Sequence, residues 1–358
     1  MMSIFLSTPV LKKYGGLLTS VLILSQTSIA DAAPVGAALD RPSIFSEQAA
    51  HSFLLGAARA GNRLVAVGER GIVILSDDSG ATWRQIQSPV SVTLTVVRFA
   101  DSKHGYAAGH GGCVLVTSDG GETWTRSLDG RRAAEIVLGV ARESGDAGAV
   151  AEAERLLEDG PDKPFFDVLV RDSLNVVVVG AYGLALATED GGKSWSSWGS
   201  RINNPSGLHL NAIRRLGEKI VIVGEHGLVR LSENDGATFS SLQTPYSGSY
   251  FTVEMPSAGV ILIAGLRGNI LLSEDSGANW TPLSSPVPAS ITASAVLPNG
   301  DLLLANQAGM ITQERAGHLV PINAHPMPPL NNLLALPGER IVVLSGGGVA
   351  TLNPGDYK

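Results

Sequence analysis

The chain has 358 residues, of which 42 are glycine, 44% are hydrophobic and 16% are charged. The glycine share exceeds the roughly 7% that is usual. It argues against a long helical bundle, because each glycine inside a helix costs about 1 kcal/mol. The formal net charge of -7 comes without any block of like charge and argues against nucleic-acid binding. What is left is a turn-rich fold of short strands, as two domains or as one large β architecture.

The first 32 residues have the pattern of a secretory signal peptide. Lys12 and Lys13 supply positive charge, Leu17 to Leu24 form a short apolar run, and Ala30-Asp31-Ala32 fits the small-residue cleavage motif. The apolar run is shorter than the roughly 20 residues that a bilayer-spanning helix needs. We therefore predict a mature chain that starts near residue 33, does not span a membrane, and is periplasmic or secreted.

One pattern recurs through the rest of the chain. Its first copy, residues 64–83, reads LVAVGERGIVILSDDSGATW, and residues 105–124 and 176–195 repeat it. The successive spacings are 41, 71, 44, 41, 41 and 39 residues, which indicates seven copies with one insertion between the second and the third. One glycine marks each copy: Gly71, Gly112, Gly183, Gly227, Gly268, Gly309 and Gly348.

Each copy contains signals for four short strands. In the second copy these are Val96–Phe99, Tyr106–Ala108, Cys113–Thr117 and a run that starts at Trp124. Four strands per copy, repeated seven times, predict an all-β, seven-bladed β-propeller over residues 33–358. A stacked solenoid is the competing architecture, but it would need polar end caps.

The seventh copy ends after its third strand, at Asn353. A closed ring removes exposed sheet edges. We therefore expect the N-terminal segment Pro42–Gln48 to supply the missing fourth strand and to close the ring.

Five copies carry the pattern S/T-x-D/N-x-G-x-x-W/F at the turn between the third and fourth strands, and it resembles the Asp-box or BNR repeat of sialidases and other propellers. In the second copy we take Ser118 as the first residue, which places its aspartate one position early. A short carboxylate can accept backbone N–H bonds across a turn, and glycine tolerates positive φ. We predict a structural role, with the aromatic ring packed on the hairpin, for Asp78, Gly80, Trp83; Asp119, Gly121, Trp124; Asp190, Gly192, Trp195; Asn234, Gly236, Phe239; and Asp275, Gly277, Trp280.

The insertion, residues 129–160, shows helical rather than strand periodicity. Apolar residues recur at helical spacing in Arg131–Arg142 and in Ala147–Leu157, with Gly145 between the two segments. Two short helices are predicted. They form either a flap that covers the propeller or an element that docks a partner.

The turns between the second and third strands carry variable polar residues on a constant glycine frame. In a propeller such turns gather on one face, and variable loop residues are where recognition is usually found. The alternative for each residue taken alone is a solvated turn residue without a binding role. The candidates for a binding surface are Glu69, Arg70, His110, Tyr182, Glu225, His226, Arg267 and Gln307.

No catalytic constellation, cofactor motif or metal motif is present. The chain lacks G-x-S-x-G, G-x-x-x-x-G-K-[ST] and H-E-x-x-H. Cys113 is the single cysteine, so it cannot form an intramolecular disulfide, and we expect it to be a buried strand residue. We predict no catalytic residue, no cofactor and no metal site.

The repeat V-G-x-x-G-x-[IVL]-x-x-S-x-D-G-G-x-x-W resembles the photosystem II stability and assembly-factor propellers. The inner-strand phrase Phe166-Asp167-Val168 matches them as well. This resemblance implies an exported, non-enzymatic, monomeric propeller that binds a membrane protein during its assembly. For a relative in a non-photosynthetic bacterium it implies an accessory factor for a membrane complex such as an RND-type exporter. The insertion and the loss of the box in the last two copies are departures from the family pattern.

The alternative is a sialidase-like glycoside hydrolase or a glycan-binding propeller. Sialidases resemble this chain in their Asp-boxes and use an arginine triad, a tyrosine nucleophile and an acid/base aspartate. Their R-I-P entry motif is absent, the nearest match being Arg41-Pro42. Sialidases also have six blades, against the seven copies found in this chain.

Overall fold

The computed structural model describes residues 37–323, 325–354 and 356, so the predicted signal peptide lies outside the described residues. Within them the chain forms seven antiparallel sheets, six with four strands and one with three, each taken in chain order from the inner to the outer strand. Each sheet corresponds to one sequence copy. The predicted all-β, seven-bladed propeller is confirmed.

The strands of one blade follow each other directly along the chain, as antiparallel neighbours do in a meander. Blade 1 has β1 (Leu54–Ala60), β2 (Arg63–Gly68), β3 (Val73–Ser76) and β4 (Arg84–Ile86); blade 2 has β5 (Leu94–Phe99), β6 (Gly105–Gly109), β7 (Val114–Thr117) and β8 (Thr125–Leu128). Blade 3 has β9 (Phe165–Val170), β10 (Val176–Gly180), β11 (Ala185–Thr188) and β12 (Ser196–Ser197); blade 4 has β13 (Leu210–Leu216), β14 (Lys219–Gly224), β15 (Val229–Ser232) and β16 (Ser240–Ser241). Blade 5 has β17 (Tyr250–Glu254), β18 (Ile261–Gly265), β19 (Ile270–Ser273) and β20 (Thr281–Leu283); blade 6 has β21 (Ile291–Val296), β22 (Leu302–Asn306), β23 (Ile311–Arg315) and β24 (His318–Pro321). Blade 7 has β25 (Leu330–Ala335), β26 (Ile341–Ser345) and β27 (Gly348–Leu352).

The insertion forms two helices, as predicted. Helix α1 spans Gly130–Ser144 and α2 spans Ala147–Glu158. The Asp129 carboxylate caps the first helix by accepting two backbone N–H bonds, and Gly145 ends it at a φ of 71°. A third helix, the single turn α3 (Gly199–Ile202), follows blade 3 and had no signal in the sequence.

The core is divided among the junctions between blades. Seven clusters of buried apolar residues each combine side chains from two neighbouring blades. Both faces of every blade are therefore covered, which explains why second strands such as Val176–Gly180 read as continuous apolar runs. The cluster between blades 7 and 1 joins Leu344 to Ile74 and closes the ring.

A belt of hydrogen bonds also links the inner strands. In every blade the second residue of the inner strand forms a β-bulge. Four of these bulge side chains donate to the carbonyl of the first inner-strand residue of the next blade, and the fourth of these bonds spans the ring closure. The pairs are Thr95 to Phe165 (2.7 Å), Asn211 to Tyr250 (2.8 Å), Thr292 to Leu330 (2.7 Å) and Asn331 to Leu54 (2.9 Å).

The prediction that Pro42–Gln48 completes blade 7 is wrong. The segment is bound to blade 1 instead, where the Ser43 N–H donates to the Ser88 carbonyl (3.0 Å) and the Ser88 N–H donates to Ser43 Oγ (2.9 Å). The Ser46 N–H donates to Gln85 Oε1 (2.8 Å). The segment forms no strand pairing, and blade 7 has three strands among the described residues.

The box turns, as we call the five turns with the S/T-x-D/N-x-G-x-x-W/F pattern, share one hydrogen-bond arrangement. In the first, the Gly80 N–H donates to Ser76 Oγ (2.8 Å), whose hydroxyl donates to Asp78 Oδ1 (2.8 Å). Asp78 Oδ1 also accepts the Thr82 N–H (2.9 Å). Gly80 has a φ of 91°, which favours glycine at this position.

In the second box turn, the assignment of Ser118 as the first residue is wrong. The hydroxyl of Thr117 donates to Asp119 Oδ1 (2.8 Å), and its oxygen accepts the Gly121 N–H (3.1 Å). Thr117, Asp119, Gly121 and Trp124 therefore keep the spacing of the other copies. Thr117 is buried while Ser118 is exposed. Both residues carry a hydroxyl group, so the sequence did not show which of them begins the box turn.

In the five blades that carry a box, the aromatic residue also attaches the blade to the one before it, in addition to the expected packing on its own hairpin. Trp124 of blade 2 is buried in a cluster with Val65 and Leu75 of blade 1. Trp195 of blade 3 donates through Nε1 to Ser127 Oγ of blade 2 (2.9 Å). The turn is local, but its aromatic residue belongs to a junction.

The box carboxylates make stability sensitive to acid. Hydrogen bonds from Thr82 and Ser76 lower the pKa of Asp78 to about 2, and bonds from Ser194 and Thr188 lower the pKa of Asp190 to about 2, both from 3.8. Because the folded-state pKa lies below the unfolded one, this stabilisation is complete above pH 3.8 and is lost as the pH falls toward about 2.

We therefore expect the free energy of unfolding to fall between pH 4 and about pH 2, as measured by urea titration at a series of pH values. Asp78→Asn combined with Asp190→Asn should flatten part of this decline. The same steep decline in the double variant would contradict the assignment.

Candidate binding face and central channel

The turns between second and third strands project one residue outward. In blade 1 the Ile72 N–H donates to the Glu69 carbonyl (3.0 Å), and the two central residues, Arg70 and Gly71, both have positive φ. This is a type I′ turn. The tip residue has a φ of 50–60° in four blades, at Arg70, Tyr182, His226 and Arg267.

The predicted turn residues divide into two groups. Glu69 and Glu225 are half-buried, and their carboxylates accept the N–H groups of Phe53 (3.1 Å) and His209 (2.9 Å), which stand just before an inner strand. These two residues hold the chain within their own blades. The remaining six are exposed: Arg70, His110, Tyr182, His226, Arg267 and Gln307.

Tyr182 is the tip residue that gathers other side chains around it. Its ring lies 4.9 Å from that of His209, which stacks on Phe166 at 5.9 Å. Lys163 Nζ lies 5.4 Å from the centre of the Tyr182 ring. His209 Nδ1 lies 2.8 Å from Glu225 Oε2 without the alignment of a hydrogen bond. Lys163 and His209 carried no sequence signal, because they come from separate loops.

A groove lies between the inserted helices and blade 3. Its volume is about 680 Å³, and its walls include Val137, Val140 and Leu156 from the helices and Tyr182 and Leu184 from the blade. The side of α1 that carries Ala133 and Val137 packs against the junction of blades 2 and 3. The helices therefore do cover the propeller as a flap, and they leave an open groove beside it.

Two large side chains face solvent at this groove. Val140 is 41% exposed and Tyr182 is 60% exposed. Exposed apolar and aromatic side chains that line a concave surface mark an interaction site more often than single exposed residues do. The groove and the Tyr182 cluster are continuous through Tyr182 and Lys163.

The central channel contains a network of four charged side chains, two buried carboxylates and two half-buried arginines. The channel has a volume of about 480 Å³ and is lined by the inner strands of all seven blades. Asp167 pairs with Arg98 (3.2 Å) and with Arg214, and Arg214 Nε lies 3.6 Å from Glu254. Asp167 also accepts the N–H groups of Val168 (2.9 Å) and Ile213 (3.1 Å).

The two channel carboxylates have opposite pKa shifts. Burial opposes the ionisation of Asp167, but Arg214 and Arg98 outweigh it and hold its pKa below the usual value. Burial dominates at Glu254 and raises its pKa. Both oxygens of Asp167 are engaged by arginines and backbone N–H groups, so this carboxylate acts as a structural anchor.

Three further expectations concern a metal site, the single cysteine and membrane-spanning segments. Across the described residues no group of three or more His, Cys, Asp and Glu side chains is arranged to hold a metal ion. Cys113 is buried, and burial raises the pKa of its thiol to about 12. No helix in the described part of the chain has the length and apolar character to cross a membrane.

Residues 75–163 and 160–303 match the family described as photosynthesis system II assembly factor YCF48. The chain belongs to the YCF48 family. Two solved YCF48 structures are similar in fold. The one described as "YCF48 bound to D1 peptide" has a TM-score of 0.63 at 15% identity, covering 87% of this chain and 98% of that chain. YCF48 from Cyanidioschyzon merolae has a TM-score of 0.63 at 14% identity, covering 86% and 97%.

Propellers outside the YCF48 family are also similar. A GH74 xyloglucanase from Xanthomonas campestris has a TM-score of 0.61 at 13% identity, covering 86% of this chain and 53% of that chain. At such identities the likeness shows the fold alone. Among curated protein sequences no match is found.

Proposed function

We propose that this YCF48-family chain is an exported, non-enzymatic assembly factor that binds a segment of a membrane-protein partner. The observation that carries the proposal is the groove between the inserted helices and blade 3, with the exposed Tyr182 at its edge. The solved YCF48 that is described as bound to a D1 peptide supports peptide binding by a propeller of this family.

Export and partner type rest on the sequence. The signal-peptide pattern of the first 32 residues supports a periplasmic or secreted location. The family resemblance supports a membrane protein as the partner, and an RND-type exporter is the candidate for a non-photosynthetic host. We propose that the YCF48-family chain acts there as a monomer and without a cofactor.

The groove is tested by site-specific crosslinking. A photoreactive amino acid at Tyr182 should yield an adduct with a membrane protein in cells that express the full chain. The same probe at Leu174, an exposed residue that is not among the groove residues, should not. Tyr182→Ala should weaken binding of the identified partner by about tenfold or more, as expected for an exposed aromatic anchor.

Deletion of residues 131–159 tests the role of the groove independently of the rest of the turn face. The deleted chain should fold, because the insertion lies outside the repeated blade, and it should lose the partner. Equal capture of the partner by the full chain, the Tyr182→Ala variant and the deletion variant would contradict the proposal. It would direct the search to Arg70 and Arg267, whose combined charge reversal is the next test.

The alternative, a glycoside hydrolase or glycan binder, has one observation in its favour. The channel holds two carboxylates whose pKa values are shifted apart, as a catalytic acid and its partner often are. Against it, Asp167 is fully engaged by its neighbours. Turnover of a fluorogenic sialoside or of a xyloglucan oligosaccharide that is abolished by Glu254→Gln or Tyr182→Phe would establish this alternative.

A further inference from the structure

Blade 7 presents an open strand edge. Among residues 37–323, 325–354 and 356 no strand pairs with the outer side of β27. In β3 and β11, the corresponding third strands of blades 1 and 3, all four residues are buried, whereas Ala350 in β27 is exposed. The backbone pairs Ser345 with Gly348 across a two-residue turn, so the N–H and C=O groups of Val349 and Thr351 point to the open side.

At other junctions, the fourth strand of one blade supplies a side chain to the box turn of the next. Ser127 of blade 2 donates to the Gly192 carbonyl of blade 3. Trp198, just after the fourth strand of blade 3, packs on Phe239 of blade 4 with ring centres 5.7 Å apart. At these two junctions the side chain fills the space beside the box turn of the next blade.

The backbone N–H groups of two such residues, which we call filling residues, make the same hydrogen bond within their own blades. The Trp198 N–H donates to the carbonyl of Ala185 (2.8 Å), the first residue of the third strand in its blade. The Leu242 N–H donates in the same way to Val229 (3.1 Å), and the Leu242 side chain lies against Gly277 of blade 5. In blade 7 the matching acceptor is the carbonyl of Val349, at the open edge.

At the junction between blades 7 and 1, Thr351 of the third strand takes the place beside the box glycine that fourth-strand side chains hold at other junctions, and a cavity remains next to Trp83. Thr351 Oγ1 donates to the Gly80 carbonyl (3.4 Å), which is the contact from the third strand. The cavity has a volume of about 370 Å³ and is lined by Ile74, Trp83 and Gln85 of blade 1 and by residues 45–47, 49 and 50 of the N-terminal segment. Trp83 packs in the same apolar cluster as Val349 of β27.

We propose that this open edge binds an extended segment of a partner polypeptide, which pairs antiparallel with Val349–Thr351 and places one large apolar side chain in the cavity beside Trp83. The pairing is β-augmentation, in which main-chain hydrogen bonds give affinity and the side-chain pocket gives specificity. This site is separate from the insertion groove and does not depend on the function proposed for it.

The surroundings favour a partner segment over other occupants. The chain's own segment Pro42–Gln48 forms one wall of the cavity through residues 45–47, but it is held to blade 1 through Gln85 and Ser88 and forms no described strand pairing with β27. It contributes two apolar side chains to the surface, Ile44 at 77% and Phe45 at 61% exposure. Exposed apolar residues next to a free strand edge are typical of a protein interface.

A second copy of this chain fits the edge less well. The backbone of Ala50 and His51 lies against Gly348, where an added Cβ would come within 2.1 Å of the Ala50 carbonyl oxygen. Only Val349–Thr351 of the strand is then left free, and the Trp83 cavity opens beside it. A single extended segment can reach both features, whereas an edge-to-edge pairing of two blades would share only three residues per copy.

The test uses a synthetic peptide as the probe. It has the sequence of residues 237–245, ATFSSLQTP, which contains the fourth strand of blade 4 and its filling leucine. Labelled with fluorescein, it should bind the chain in an anisotropy titration. The same peptide with glycine in place of the leucine should bind about tenfold more weakly, because the cavity is left empty.

Two variants at one position separate pairing from folding. Thr351→Pro removes the outward N–H and should weaken peptide binding by about tenfold or more, whereas Thr351→Val keeps the backbone bond and should bind like the unaltered chain. Both variants lose the bond to Gly80, so this loss cancels in the comparison. Circular dichroism should show the same thermal transition for the two variants.

Four results would overturn the proposal. The first is no peptide binding by the folded chain, and the second is equal binding by the proline and valine variants. The third is a dimer in sedimentation equilibrium that Thr351→Pro converts to a monomer, which would make a second copy the occupant. The fourth is peptide binding that appears only after residues 1–36 are deleted, which would make the chain's own N-terminal segment the occupant.

Discussion

Asp167→Ala is expected to lower the free energy of unfolding by about 3–5 kcal/mol, as measured by urea denaturation at neutral pH. The substitution removes the carboxylate that pairs with both Arg98 and Arg214 and leaves two guanidinium groups of like charge close together. It also leaves the N–H groups of Val168 and Ile213 without their side-chain acceptor. The lower end of the range is expected, since the side chains of Arg98 and Arg214 are 29% and 23% exposed to the channel.

A matched control is Asp235→Ala. Asp235 also pairs with two arginines, Arg171 (3.1 Å) and Arg215 (2.9 Å), but its side chain is 39% exposed, against 5% for Asp167. Exposed ion pairs contribute about 1 kcal/mol or less. Equal losses of stability for Asp167→Ala and Asp235→Ala would show that the channel network does not hold the inner strands together.

Trp124→Ala is expected to cost about 3–5 kcal/mol of unfolding free energy. The Trp124 ring is buried between blades 1 and 2, packs edge-on against Phe99 at 6.1 Å, and donates through Nε1 to the Gly121 carbonyl (3.0 Å). Its removal leaves a cavity at a junction, so both blades lose contacts. Urea denaturation followed by circular dichroism measures the loss.

Trp280→Ala is the control for this prediction. Trp280 holds the same place in the fifth box turn, but it is only half-buried, and its Nε1 has no hydrogen-bond partner. We expect a clearly smaller loss than for Trp124→Ala. A loss at Trp280 equal to or larger than that at Trp124 would contradict the view that packing between blades carries the contribution of the box aromatics.

Much of the fold could be predicted because the sequence patterns that specify it are local and repeated. The first five copies carry the same turn chemistry, such as Arg70-Gly71 and Asp78-x-Gly80 in the first copy, at a constant distance from their apolar strands. The two inserted helices were predictable for the same reason, since periodicity and Gly145 both act within a few residues. The exposed turn tips could be predicted because strand order places these turns, whereas their role in binding stays a prediction.

The two wrong predictions concern segments for which the sequence allowed two different local structures. Thr117 and Ser118 both offer a hydroxyl near Asp119, and only the bond to the Gly121 N–H distinguishes them. Pro42–Gln48 could pair with blade 7 or bind to blade 1, and the choice depends on partners such as Ser88 that stand 45 residues away from Ser43. Local patterns contain no information on such distant partners.

The repeat period, the four-stranded blade, the inserted helices and the exposure of the turn tips followed from the amino-acid order, because each depends on residues a few positions apart. The remaining features needed the closed ring. The Asp167 network joins blades 2, 3, 4 and 5. The Tyr182 cluster brings Lys163 and Phe166 at the start of blade 3 together with His209 at the start of blade 4. The open edge of blade 7 is likewise visible only beside the six completed blades. Sites of this kind form where distant segments are packed together, so charge pairing and burial in the assembled ring decide them.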